Sequence, residues 1–499
     1  MSFGPPPSIY TQSALAADTA RKRRRTKLLG AVAVVVALLV LAGGGWFLAS
    51  GDDAAPVDAK GPVVQSPDAI RETTEKVPGS PEGQLMIEHD EENLAKTNDA
   101  SPRYAPGTWA TDKVMVKGVA SRLEGYNIAL DADEKAWTLK LDGHLCATSR
   151  HVTADGRTAV VIQPPRPKGS DKDGVCDQVV FVDLNTGKKL WQKQMPAANS
   201  AFVTNTNLTL TKGVVAVAWG QGSVAYDMRT GAKLWNSALG DECQDKAFAG
   251  GRALLALRSC GALPDVRFQV QKVDPRTGKP LWTYRVSSGI QTVYLPSADP
   301  PVLALAAGDS TVTDVITLDG QGKYRTTIPL DDYDAKCGER YFGMSFFGEY
   351  ENCDGIVVGR TQAYILSKEN IATGEPSDWI VAFDLATGKT AGKFEGRELQ
   401  KVYPLRMSGD DLLIYRRGAG AVAPAAVVRW NPRTDRETPL LLFTLPEDDD
   451  SELSDPEQSD ILYQYGRAFF DKRELVHDDK YPTDPVLMAV AIGSAGLKH

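Results

Sequence analysis

The stretch VAYDMRTGAKLW at residues 224–235 returns along the chain with altered spelling: FVDLNTGKKLW at 181–191, KVDPRTGKPLW at 272–282 and AFDLATGK at 382–389. Its Asp, or the residue aligned with it, falls at Asp131, Asp183, Asp227, Asp274, Asp319, Asp384 and Asn431, with gaps of 52, 44, 47, 45, 65 and 47 residues. Between these markers lie short apolar runs of strand length, among them RTAVVIQ, GVVAVAWG, RALLALRS and PVLALAAG, and no stretch keeps helical periodicity for three turns. A period in the forties built of short strands predicts an all-β propeller of four-stranded antiparallel blades. With the strands lettered A to D from the axis outward, the recurring phrase is the C–D hairpin.

Turn chemistry accounts for its letters. The Asp ends strand C and accepts from backbone N–H groups two or three residues on, the Thr reinforces that turn, and the Gly supplies the positive φ that closes it. The Trp four residues later lies in strand D, where its surface packs against the next blade. Asp183, Gly187 and Trp191, then Asp227, Gly231 and Trp235, then Asp274, Gly278 and Trp282 carry the full pattern, whereas Asp131 with Trp137 and Asp384 with Gly388 carry part of it. All are read as structural, because none places a nucleophile beside a base.

These residues resemble the pyrroloquinoline-quinone-like β-propeller repeat, A-x-D-x-x-T-G-x-x-x-W, over roughly residues 108 to 495. The resemblance implies a ring of seven or eight blades around a central channel. ILYQYG at 461–466, GRAFFDKRELV at 466–476 and PVLMAVAIG at 485–493 read as strands A, B and C of a last blade. A strand from the N-terminal side of the domain must complete it, which favours eight blades, with seven as the alternative. The family's quinone-dependent dehydrogenases hold their cofactor on the axis with calcium, next to a vicinal cysteine pair. This sequence has neither adjacent cysteines nor a haem-attachment CxxCH, so no cofactor is expected and the reading falls against an enzyme. The family also includes envelope assembly-factor lipoproteins that scaffold other proteins.

Residues 28–49, LLGAVAVVVALLVLAGGGWFLA, are 22 without a charge, enough as a helix to cross the bilayer. Arg21, Lys22, Arg23, Arg24, Arg25 and Lys27 precede them, so the positive-inside rule keeps 1–27 as a short cytoplasmic tail and puts the rest outside. The apolar run is longer than a cleaved signal peptide usually has, which favours an uncleaved anchor in the cell membrane. Residues 50–106, rich in Asp, Glu, Pro and Ser, read as an acidic flexible stalk before a propeller at 107–499, with QLMIEHD at 84–90 a candidate to dock on it. The net charge of −8 gives no reason to expect nucleic acid.

All six cysteines follow the anchor, and in an oxidising compartment they predict disulfides. Cys243 and Cys260 straddle the A–B turn at Gly250 and Gly251, so antiparallel pairing sets them opposite each other. Cys146 at the start of a strand A and Cys176 at the start of strand C of the same blade share a rim, leaving Cys337 with Cys353. All three bridges then fall on the face carrying the D–A and B–C loops. The 65-residue gap holds YFGMSFFGEY, whose Tyr341, Phe342, Phe346, Phe347 and Tyr350 form a candidate binding loop beside that rim.

No metal site is expected. SDKDG at 170–174 lacks the later ligands of a calcium loop, and DDYDAKC at 331–337 and EDDDSELSD at 447–455 read as acidic surface loops. His144, Cys146, His151 and Cys176 match no standard zinc spacing. The expected function is a membrane-anchored, extracytoplasmic, non-catalytic platform for an envelope protein or small ligand. A quinone-dependent dehydrogenase or redox sensor, and the ligand-sensing module of a signalling system, are the alternatives.

Overall fold

The computed structural model describes residues 65–91, 103–129, 135–165, 174–237, 240, 242–262, 265–308, 311–341, 344–346, 349–369, 377–420, 422–445, 450–476 and 485–495. The expected anchor at 28–49 and Asp131 lie outside them, as does most of SDKDG. The fold is an eight-bladed propeller within the compact unit that begins at Ser66. Blades 1 to 7 occupy 108–140, 144–194, 207–236, 243–285, 290–329, 356–395 and 402–443. The described residues contain one helical turn, Asp450–Leu453, and no helix long and apolar enough to cross a membrane.

Blade 3 shows why these sequences make blades. Its strands are Asn207–Thr211, Val214–Ala218, Ser223–Asp227 and Lys233–Asn236, the first three wholly buried and the fourth largely not. Successive residues of a strand point to opposite faces. Val215, Val217, Val224 and Tyr226 therefore pack with Phe181 and Trp191 of blade 2, while Val214, Ala216, Ala218 and Ala225 pack with Phe248 and Leu254 of blade 4. A blade thus has no solvent face, so its inner strands read as continuous apolar runs. Each fully buried Val or Leu contributes about 1.5–3 kcal/mol, and that sum, spread around the ring, holds it together.

The eighth blade closes the ring. Ser459–Gln464, Arg467–Lys472 and Val486–Ser494 supply three strands, and Gly83–Glu91 supplies the outer fourth by pairing Leu85 with Ile492 and His89 with Ala489. This segment falls within the span that composition assigned to the stalk. An open sheet edge recruits it, burying Ile87 and Glu91, while Glu88 stays exposed as its acidic letters suggest.

The recurring turns are built as expected. Asp274 Oδ1 accepts from Arg276 N at 3.1 Å, Thr277 N at 2.9 Å and Thr277 Oγ1 at 2.9 Å, and Asp227 and Asp384 do the same with Thr230 and Thr387. Those bonds favour the ionised form and hold the Asp274 and Asp384 carboxyls below their usual range. Gly187, Gly231, Gly278 and Gly388 have φ between +65° and +69°. The indole of one blade lies on the turn glycine of the next: a Cβ on Gly278 would sit 2.8 Å from Trp235 Cδ2 and one on Gly231 2.9 Å from Trp191 Cδ2, while Trp137 lies over Gly187. Trp191, Trp235 and Trp282 donate Nε1–H to the carbonyls of Met228, Pro275 and Gly320, each in the following blade.

Candidate binding face and axial channel

The three disulfides are Cys146–Cys176, Cys243–Cys260 and Cys337–Cys353. Cys243 and Cys260 are register partners at the start of strand A and the end of strand B, and Cys337 and Cys353 pair in a two-stranded insert joining blade 5 to blade 6. By topology all three lie on the D–A and B–C face. That face thus carries the cross-linked loops, and the opposite one carries the A–B hairpins and the Asp-Thr-Gly turns.

The insert does more than decorate the rim. Tyr350 O accepts from Leu295 N of blade 5 at 2.8 Å, and Glu351 Oε1 accepts from Gly250 N of blade 4 at 2.6 Å and lies 3.0 Å from His151 Nε2 of blade 2. Arg150 donates to Glu351 O at 2.7 Å. Asp354 and Lys336 meet Arg473 and Glu457 of blade 8. A segment touching blades this far around a ring lies on its axis. Burial opposes ionisation of Glu351, but His151, the Gly250 amide and Arg150 outweigh it and hold the carboxyl below its usual range. Glu349 is pushed up to about 7, chiefly by burial and then by repulsion from Glu351, with Arg473 and Arg150 opposing the rise.

The A–B end of the channel, where Glu351 meets Gly250 and His151, is also crossed by residues 68–75. Ala69 and Arg71 hydrogen-bond Ala154 and Val152 of blade 2, and Arg71 also donates to Ala110 O of blade 1. Glu72 pairs with Arg252 of blade 4 and Arg360 of blade 6. Glu75, 4% exposed, pairs with Arg406 of blade 7 and accepts from Tyr465 N at 3.0 Å and Gly466 N at 3.1 Å in blade 8. This strap therefore ties six blades across the A–B face. Composition gave no signal for it, because its Glu and Thr residues bond to single, widely separated positions and follow no period.

Of the predicted loop, Tyr341 and Phe346 lie in the paired strands Glu339–Tyr341 and Met344–Phe346, and Phe342 and Phe347 lie outside the described residues. Tyr350 is half-buried, its ring centroid 6.0 Å from that of Tyr294. It also lines a cavity of about 290 Å³ on the disulfide-bearing face with Thr204, Asn205, Trp219, Gln221 and Lys246. Of these, only Tyr350 was singled out by sequence. His144 and His151 do not join the cysteines: Cys146 and Cys176 bond each other, and His151 faces Glu351. Among the described residues no three His, Cys, Asp or Glu side chains could hold a metal ion.

BamB from Moraxella catarrhalis is similar at 10% identity, covering 83% of this chain and 99% of that one, with a TM-score of 0.42. A quinohemoprotein alcohol dehydrogenase from Pseudomonas putida is 12% identical, covering 86% and 78%, with a TM-score of 0.48. A europium-containing methanol dehydrogenase is 11% identical, covering 84% and 95%, with a TM-score of 0.44. No curated protein matches the chain by sequence. A family model described as outer membrane protein assembly factor BamB matches residues 119–254 and 220–393, more than half of the 499. On that match, and on the repeat turns that carry it, the chain belongs to this family of pyrroloquinoline-quinone-like repeat propellers.

Proposed function

We propose that the chain is a membrane-anchored, extracytoplasmic platform that binds an envelope protein through its disulfide-bearing face and performs no chemistry. The observation that carries this reading is the state of the axis. The insert at 349–351 and the strap at 68–75 fill the axis with the chain's own hydrogen-bonded groups, the two segments meeting the same A–B turns of blades 2 and 4. The axial residues do not fit a quinone with calcium: Glu351 is engaged by His151 and Gly250, all six cysteines are in long-range pairs, and none is vicinal. The matched family's description, an outer membrane protein assembly factor, supports a protein as partner.

A photo-crosslinking residue placed at exposed Phe202, on the disulfide-bearing face, is expected to capture a discrete envelope protein in cells, and one at Lys212 in an A–B turn is not. Equal capture at both positions refutes the choice of face. A visible absorption band or a melting shift on adding pyrroloquinoline quinone and calcium to the purified chain refutes the non-catalytic reading.

A further inference from the structure

The cavity beside the insert has unequal hydrogen-bonding capacity. Its side-chain amide oxygens are already engaged: Asn205 Oδ1 takes Phe202 N at 2.8 Å, and Gln221 Oε1 takes Ser200 Oγ at 2.8 Å. Asn205 Nδ2 is committed to Ser200 O at 2.9 Å. Donors are left over. Lys246 makes no ion pair or hydrogen bond among the described residues, and its Nζ would lie 3.7 Å from a Cβ on Gly220 at the cavity wall. Trp219, 2% exposed, has an indole Nε1–H with no acceptor among the described residues, and the side-chain amide of Gln221 keeps its N–H groups. A ligand that supplies an acceptor there satisfies a buried donor that the fold leaves unmet.

An unpaired ammonium with spare N–H donors beside aromatic walls calls for an anionic group with acceptor oxygens, and the carboxylate is the one that an unmodified protein partner supplies. The volume accommodates an amino-acid side-chain head. Phe202, 45% exposed on the same loop as Thr204 and Asn205, offers an apolar surface next to the charged one. Together these match an acidic residue with an apolar neighbour in an extended segment.

We propose that the cavity between Trp219, Lys246 and Tyr350 binds the carboxylate of an acidic residue in an extended peptide segment of a partner protein. This rests on the platform reading and gives it a chemical specificity. The probe is the capped peptide acetyl-Ser-Leu-Glu-Leu-Ser-amide, added to the full-length chain in detergent with ¹⁵N-indole-labelled tryptophan. The Trp219 indole resonance, assigned with Trp219→Phe, is expected to move with this peptide. The Gln-for-Glu peptide and the Lys246→Gln chain are each expected to respond at least about tenfold more weakly. An unmoved resonance, or an unchanged response in Lys246→Gln, overturns the proposal. An equal response to sodium glucuronate also overturns it, by assigning the cavity to sugar acids. A chain that still crosslinks a protein through position 202 but shows no Trp219 response keeps the platform and loses the carboxylate site.

Discussion

Replacing Glu75 by Ala tests whether the strap is part of the fold. Its carboxylate is almost fully buried, pairs with Arg406 and accepts two backbone N–H bonds from Tyr465 and Gly466. Burial holds the Arg406 guanidinium below its usual range, and Glu75 is the charge that opposes this. Removing one member of a buried pair costs about 3–5 kcal/mol. Arg406 retains bonds to the carbonyls of Thr73, Met407 and Tyr463, so the lower end applies. Three kcal/mol corresponds to about a hundredfold in an equilibrium. Amide exchange at Tyr465 and Gly466 should therefore accelerate about a hundredfold in Glu75→Ala, with 68–75 exchanging alongside. Glu75→Gln keeps an acceptor oxygen and should fall between. Unchanged exchange at both amides in Glu75→Ala, with an unchanged melt, would refute the reasoning that the carboxylate holds the strap in place.

Gly278→Ala places a Cβ against Trp235 at a φ of +68° and should cost about 1–2 kcal/mol from backbone strain alone, read by chemical denaturation; a neutral result defeats the stacked-turn account. Converting Cys243 and Cys260 to Ser opens a 17-residue separation and should cost about 3 kcal/mol, while nonreducing peptide maps of the native chain should show no 146–337 link. Asp471 in blade 8 is fully buried, neither carboxylate oxygen has a partner among the described residues, and burial pushes it up to about 8 against the pull of Lys117. The native state then keeps a proton that the unfolded chain loses above about pH 4, so this group lowers stability as pH rises from about 4 to about 8 and not beyond. Asp471→Asn should flatten that slope by up to about 1.4 kcal/mol per pH unit, and an unchanged slope in melts across the range counts against it.

Legibility in the sequence followed periodicity. The turns at Asp183, Asp227 and Asp274 repeat, so their chemistry and their spacing confirm each other, and even the weakly matching Asp319 and Asn431 build the same turn by accepting from Gln321 N and Arg433 N. The pairing of Cys243 with Cys260 was legible because an antiparallel hairpin makes it local. Glu75, Glu351 and Lys246 were not. Each occurs once, and the groups that surround it lie on other blades or on the insert, so no spacing announces it. The acidic and Pro-rich letters of 66–91 describe surface chemistry and were read as a stalk, yet a strand and a strap can carry the same letters wherever a sheet edge or a channel mouth supplies the missing hydrogen bonds.

The joining of Gly83–Glu91 to Val486–Ser494 also fixes an order of events. A chain made from its N-terminus displays the closing strand long before it reaches the strand that receives it, because all seven other blades lie between them. Until then the growing protein is an open arc with an unpaired edge at each end, and those edges are templates for pairing with other chains. The contact that completes the ring spans almost the whole sequence, so it forms late and slowly. Loss of only the final strand would therefore release the first one as well, returning a closed molecule to an arc whose two ends can be bridged by a neighbour.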